Sequence, residues 1–463
     1  MIAFSRLSIA VALLSLVFLF PLSTATAAEL EVDSTRALAN AIENASDGDV
    51  LVLTRDIQLQ RYLPRITADI AIEGGGHKID GMRRRSIFFI DEAVTVRINN
   101  LTMTNGFADN CLRREQRRKR DVPECPDPKK WTWGGAIYND GGNLSISNSN
   151  FRQNATEGYG GAIFSRKGKL HITNSHFIGN SSDGNGGALS NQLSGLTVSG
   201  SLFLRNATDG YGGAISSSAD VPQIITDSSF SHNWAASSGG AIETDGDALT
   251  ISDSSFTANV AKMGGGISNI GELNISDSSF RYNSADWGGA IWNYFSQVAI
   301  RNSVFEVNTA GNGGAIEDDA GHITITGSRF IDNSAETRGG AIRSQGGSLS
   351  VVDSGFTGNK AVDEGGALYI GSDLRLAQVT IADNAAEAGG GVYLAPFTQD
   401  ISIVFRNSVI ARNDGGDCVR ENKEFSNDKV VNLFDNSSCD PGPGGNSGTA
   451  ATSAPWNSLA SGL

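Results

Sequence analysis

The chain has 463 residues, with 36 Lys and Arg against 50 Asp and Glu, a formal net charge of −14. Nucleic acids and anionic membranes both demand a positive surface, so neither is an expected partner. With charged residues at only 19% and just four Cys, the chain is neither a charge-driven disordered protein nor a disulfide-packed miniprotein, and its 56 Gly need an explanation.

Residues 1–28 read as a secretory signal. Arg6 supplies the positive region, Ile9 to Phe20 is apolar apart from Ser15, and Ala25-Thr26-Ala27 offers small residues for cleavage. The apolar run is shorter than the ~20 residues a spanning helix needs, and no later segment qualifies, so no membrane span is expected after signal removal. The C-terminal end has no hydrophobic tail for a glycolipid anchor. Residues 29–48 form an N-terminal cap, because Ser34 to Ala45 has the pattern of a short amphipathic helix. Residues 49–133 hold the first coils, where Val50 to Leu53, Ile70 to Ile72 and Val94 to Ile98 are strand-like. They also hold a basic insertion, Leu112 to Glu124, framed by Cys111 and Cys125, which are expected to pair. Within it, Arg117-Arg118-Lys119-Arg120 suits a solvated loop, a processing site or a small polyanion contact.

Residues 134–413 carry the main signal. Gly-Gly followed by Ala or Gly recurs eleven times, with the second Gly running from Gly135 to Gly390 at intervals of 24–27 residues. A Phe-x-x-Asn motif keeps step at Phe151, Phe177, Phe203, Phe230, Phe256, Phe280, Phe305, Phe330 and Phe356. The matching Asn are Asn154, Asn180, Asn206, Asn233, Asn259, Asn283, Asn308, Asn333 and Asn359, and two later copies replace Phe with Ile381 and Ile410. Segments such as Leu144-Ser145-Ile146 and Ile323-Thr324-Ile325 alternate with period two, the mark of a half-buried strand. Three short strands and three turns per period give one coil of a parallel β-helix, in which equivalent residues stack in files ~4.8 Å apart. The Phe file becomes an internal aromatic ladder, and the Asn file satisfies the bend beside it. The Gly-Gly pair takes up a place where a Cβ would not fit. Residues 414–441, bracketed by Cys418 and Cys439, read as a disulfide-tied C-terminal cap, and 442–463 as a flexible tail.

Interlocked Phe-x-x-Asn and Gly-Gly-Ala-Ile motifs at this spacing resemble the repeats of the polymorphic outer membrane protein family, within the pectin-lyase-like superfamily. The resemblance covers residues 134–413. It implies an all-β, right-handed parallel β-helix of about 11–14 coils, secreted or exposed at a cell surface or outer membrane, with adhesion as the usual role. The chain departs from the family in lacking C-terminal alternating strands for a barrel.

Several constellations carry residue types suited to chemistry. Glu157, Asp183 and Asp209 fall in consecutive coils three residues after the ladder Asn, which would place carboxylates ~5 Å apart and suit Ca²⁺; an exposed turn that prefers acids is the favoured reading, and no other cofactor is expected. The fold class often carries polysaccharide lyases and glycoside hydrolases, whose candidates here are Glu243 with Asp245 and Glu317 with Asp319. The two clusters lie three coils apart, or ~14 Å, too far for one dyad. Tyr138, Phe164, Trp292, Tyr369 and Tyr393 are aromatic enough to stack on sugars or on one another. The unbroken period argues against a catalytic cleft. The preferred expectation is a non-catalytic β-helix that binds an extracellular glycan or a cell-surface protein.

Overall fold

The computed structural model describes residues 27–108, 132–219, 221–246, 248–395, 402–420 and the backbone of 433–434. The signal segment, the basic insertion with Cys111 and Cys125, Cys439 and the tail lie outside them. The chain winds into a parallel β-solenoid of about 13 turns. Every strand pair is parallel and joins equivalent residues of successive coils, for example Leu144 to Leu170 and Phe151 to Phe177. Connections between parallel strands of one sheet are right-handed almost without exception, because a right-twisted strand packs back only that way; the solenoid is a right-handed β-helix.

A representative coil has four extended segments rather than three: Ile137–Asp140, Asn143–Ser147, Asn150–Arg152 and the two-residue Ala155–Thr156. The first two lie in one sheet and are separated only by a tight turn. In two coils they run on without a break, at Ile342–Val352 and Leu368–Ala377. The fourth segment forms because the Asn side chain takes over the bend and frees the following backbone to pair with the next coil.

The interior is one continuous core of Leu, Ile, Val and Phe from Val32 to Cys418. Nine Phe rings, Phe151 to Phe356, stack with centroids 4.6–4.9 Å apart and planes within 6°. Each is at most 1% exposed, so each ring contributes about 1.5–3 kcal/mol by burial alone. The Asn file lies beside it. The Asn283 side-chain oxygen accepts from the backbone N–H and the Nδ2 of Asn259, both at 3.0 Å, while its own Nδ2 donates to the carbonyl of Phe256 and to Oδ1 of Asn308. A third file, from Ser149 to Ser354, does the same work at the previous corner. The Ser254 hydroxyl donates to the carbonyl of Ser252 at 2.7 Å and accepts from the N–H of Ser228 at 3.1 Å. Asn154, Asn180 and Asn206 are fully buried, so their Asn-x-Ser/Thr sequences cannot serve as glycan acceptors.

The Gly pair closes each coil. Gly264 sits at φ +62°, and a Cβ on Gly265 would lie 2.3 Å from the carbonyl oxygen of Gly289 in the next coil. Close backbone approach, not flexibility, explains these glycines. At the N-terminal end the helix Thr35–Glu43, capped by the Ser34 side chain accepting from the N–H of Ala37, buries Leu38, Ala39 and Ile42 over the first coil. Near the other end Cys418 is buried and disulfide-bonded; the remaining three cysteines, and therefore the pairing, lie outside the described residues.

Candidate functional site: the outward file after Gly-Gly-Ala-Ile

Strand alternation puts Ile of Gly-Gly-Ala-Ile inside and the next residue outside. Stacked coil upon coil, these outward positions form one file: Phe89, Tyr138, Phe164, Ser190, Ser216, Glu243, Ser268, Trp292, Glu317, Arg343, Tyr369 and Tyr393. Unlike the inward files, it does not repeat itself. It is also more covered than outward residues usually are. A wall runs beside it, formed by the residues just ahead of Gly-Gly, with Met263, Trp287, Asn312, Arg338 and Glu364 in register.

The two ends of the file are aromatic and closed. Phe89, Tyr138 and Phe164 stack at 4.4 and 5.4 Å, and Trp133 covers Phe164 at 4.7 Å. At the other end Tyr369 stacks on Tyr393 at 5.4 Å beside the Arg338–Glu364 ion pair of 2.8 Å. These rings pack on one another and are buried.

The middle is different. Trp292 is half-buried and its ring stacks on Tyr294 at 5.4 Å, while Phe295 meets Tyr294 edge-on at 4.5 Å. Tyr294 is 38% and Phe295 66% exposed, and Phe295 is held at φ +51°. A bulky residue in the left-handed region is strained, and here its side chain is spent on the surface rather than on the core. Trp287, 42% exposed, belongs to the same coil on the wall side.

Two carboxyl groups flank this coil. Glu243 is half-buried and accepts from the Ser216 hydroxyl at 2.8 Å; its carboxyl is pushed up to about 7, chiefly by burial and also by Asp245, with the Ser216 hydrogen bond opposing them. Glu317 is 2% exposed and ion-paired to Arg343 of the next coil. Burial pushes Glu317 well above the ordinary carboxylate range, and the guanidinium opposes it. Glu243 and Glu317 are separated by the rungs of Ser268 and Trp292, three steps or ~14 Å. The structure does not bring the four candidate acids together. Asp245 and Asp319 are exposed beyond the file. Asp318 points inward, where it accepts from Asn293 Nδ2 at 2.8 Å and from the Ser344 hydroxyl at 3.0 Å. Sequence reasoning missed Arg343, although its offset of 26 residues from Glu317 equals one period, and it missed Tyr294 and Phe295.

The turn acids Glu157, Asp183 and Asp209 are exposed on consecutive coils. Partial burial, then Asp209 and Glu157, raise the Asp183 carboxyl. Among the described residues no group of three or more His, Cys, Asp or Glu converges on a metal position. No helix among them is long and apolar enough to cross a membrane.

Residues 227–245 match the Chlamydia polymorphic membrane protein repeat. No curated protein matches the chain. Among solved structures it is similar to tailspike protein 3 of bacteriophage CBA120, at 14% identity over 81% of this chain and 59% of that one, with a TM-score of 0.37. It is also similar to an alginate lyase of the PL6 family, at 12% identity over 90% and 52% of the two chains and a TM-score of 0.31. A third is the polygalacturonase of Erwinia carotovora ssp. carotovora, at 14% identity over 87% and 96% and a TM-score of 0.25. The chain thus spans little more than half the length of the first two.

Proposed function

We propose that this protein is a surface-exposed, non-catalytic β-helix that binds an extracellular glycan along its outward file, centred on the Trp292 coil. The observation that carries this reading is the open three-ring group Trp292, Tyr294 and Phe295, set between closed aromatic ends. Aromatic faces next to hydroxyl and carboxyl groups suit the apolar and polar sides of a sugar ring. Successive rungs ~4.8 Å apart also approximate the advance of one pyranose unit along a chain. A repeat found in polymorphic membrane proteins supports a place on or outside a cell envelope.

Cleavage is the second reading, favoured by the raised Glu243 carboxyl, which suits a general acid. Against it stands the distance to Glu317: hydrolase dyads stand about 5–5.5 Å or about 6.5–9.5 Å apart, and this pair is ~14 Å apart. One experiment addresses both. The purified mature protein is titrated with neutral and acidic polysaccharides, with and without Ca²⁺, while unsaturated uronate absorbance and new reducing ends are followed. Saturable binding without turnover, lost in Trp292→Ala with Phe295→Ala, is the expected result. Turnover abolished by Glu243→Gln would establish the enzymatic reading instead, and absence of binding to any glycan would overturn the first.

A further inference from the structure

The outward file contains two floor carboxyl groups in the same structural position, treated in opposite ways. Glu317 is neutralised from within the chain, by Arg343 one rung on. Glu243 is not: its rung neighbours are Ser216 and Ser268, and among the described residues no cation pairs with it. Its other near charge is Asp245, which is also negative. A carboxyl group withdrawn from water without a cation is costly as an anion. Beside it, Ser268 is 1% exposed and its hydroxyl has no hydrogen-bond partner. Buried hydroxyls are nearly always satisfied, so this one has hydrogen-bonding capacity that no protein group uses. The next rung is Trp292, with Tyr294 stacked on it. Consecutive rungs therefore place a half-buried carboxyl group, a buried hydroxyl without a protein partner and a half-buried aromatic ring side by side. Ahead of Gly-Gly on the next two coils stand Lys262 and Asp286, both exposed and of opposite sign.

We propose that the glycan bound by this file carries free amino groups, and that one ammonium seats between Glu243 and Ser268 against Trp292. An ammonium donates to both oxygens, replaces the missing counter-ion and is attracted by the ring face. A uronate or sulfate would find no cation at this rung, and like charge wherever Glu243 is ionised. The inference rests on the glycan-binding reading above.

The test uses the full mature chain and two oligosaccharides of equal length, a β-1,4-linked glucosamine oligomer and its fully N-acetylated counterpart, in isothermal titration. The amine form is expected to bind at least about tenfold more tightly at low salt, with the preference shrinking as ionic strength rises from about 50 to 300 mM. Glu243→Gln, an isosteric change, is expected to erase the preference while leaving the acetylated oligomer's affinity within about twofold. Ser268→Ala should weaken the amine form alone. Equal binding of both oligomers, or a preference that survives Glu243→Gln, overturns the amine assignment and leaves the glycan reading standing. Binding of other neutral glycans but neither of these has the same meaning. If no glycan binds at all, both fall.

Discussion

The inward Phe and Asn files and the outward file run side by side along the same coils, yet they differ in kind. From Phe151 to Phe356 the inward position never changes, and ring spacing stays within 4.6–4.9 Å. On the outward side, ten consecutive coils from Tyr138 to Tyr369 present Tyr, Phe, Ser, Glu, Trp and Arg. Repetition is enforced wherever a side chain must fit the identical neighbour above and below it. Where the neighbour above is solvent, a wall residue or a ligand, each coil is free to differ. Structure and specificity thus occupy different strands of the same coil.

The comparison predicts which changes the protein tolerates. Phe256→Ala removes a ring stacked on both sides and leaves a cavity, so a loss of about 4 kcal/mol is expected, measured by chemical denaturation. Arg343→Met breaks the contrast within the outward file by leaving Glu317 buried without its cation. A loss of about 3 kcal/mol is expected at alkaline pH. It should shrink at pH 5, where Glu317 can hold a proton, and the double variant with Glu317→Gln should recover most of it. Asn283→Ala strands the Phe256 carbonyl and the Asn259 N–H inside the rod, for about 2–3 kcal/mol. Ser268→Ala, on the outward file of the same coil, should change stability by less than about 0.5 kcal/mol, since that hydroxyl bonds no protein group.

Glu243 sharpens the comparison by pH. Burial favours its neutral form, so the folded protein keeps this proton up to about pH 7, whereas the unfolded chain releases it in the ordinary carboxylate range near 4.5. Stability from this group is complete below that range and declines as pH rises toward 7. The slope is at most about 1.4 kcal/mol per pH unit. In Glu243→Gln the decline should be absent, which pH-dependent thermal melts would register; an unchanged slope would assign the titration elsewhere.

The coil, its period and its inward residues were legible because they repeat: a requirement imposed eleven times writes itself into the sequence. The Ser file was not legible, because nothing in Ser254-Ser255-Phe256 says that the Ser254 hydroxyl accepts from the N–H of Ser228 in the adjacent coil. Glu243 and Glu317 could be named as acids, but their difference depends on what stands one period away, Ser268 in one case and Arg343 in the other. Phe295 was illegible for a different reason. Its turn position accepts Lys167, Leu193 or Ala320 in other coils at the same positive φ, and Leu193 is exposed as well, so only its ring set against Tyr294 distinguishes it.

The Gly-Gly closure, with Gly265 pressed against the carbonyl of Gly289, makes each coil a part of fixed height and uniform join. Such parts can be duplicated or deleted by recombination between repeats without disturbing the seam. Each event would move Glu243 toward or away from Glu317 in whole rungs of ~4.8 Å, leaving both local environments intact. The molecule is in this sense a ruler whose marks can be respaced only in integers, and recognition built on it would evolve by counting rather than by gradual drift.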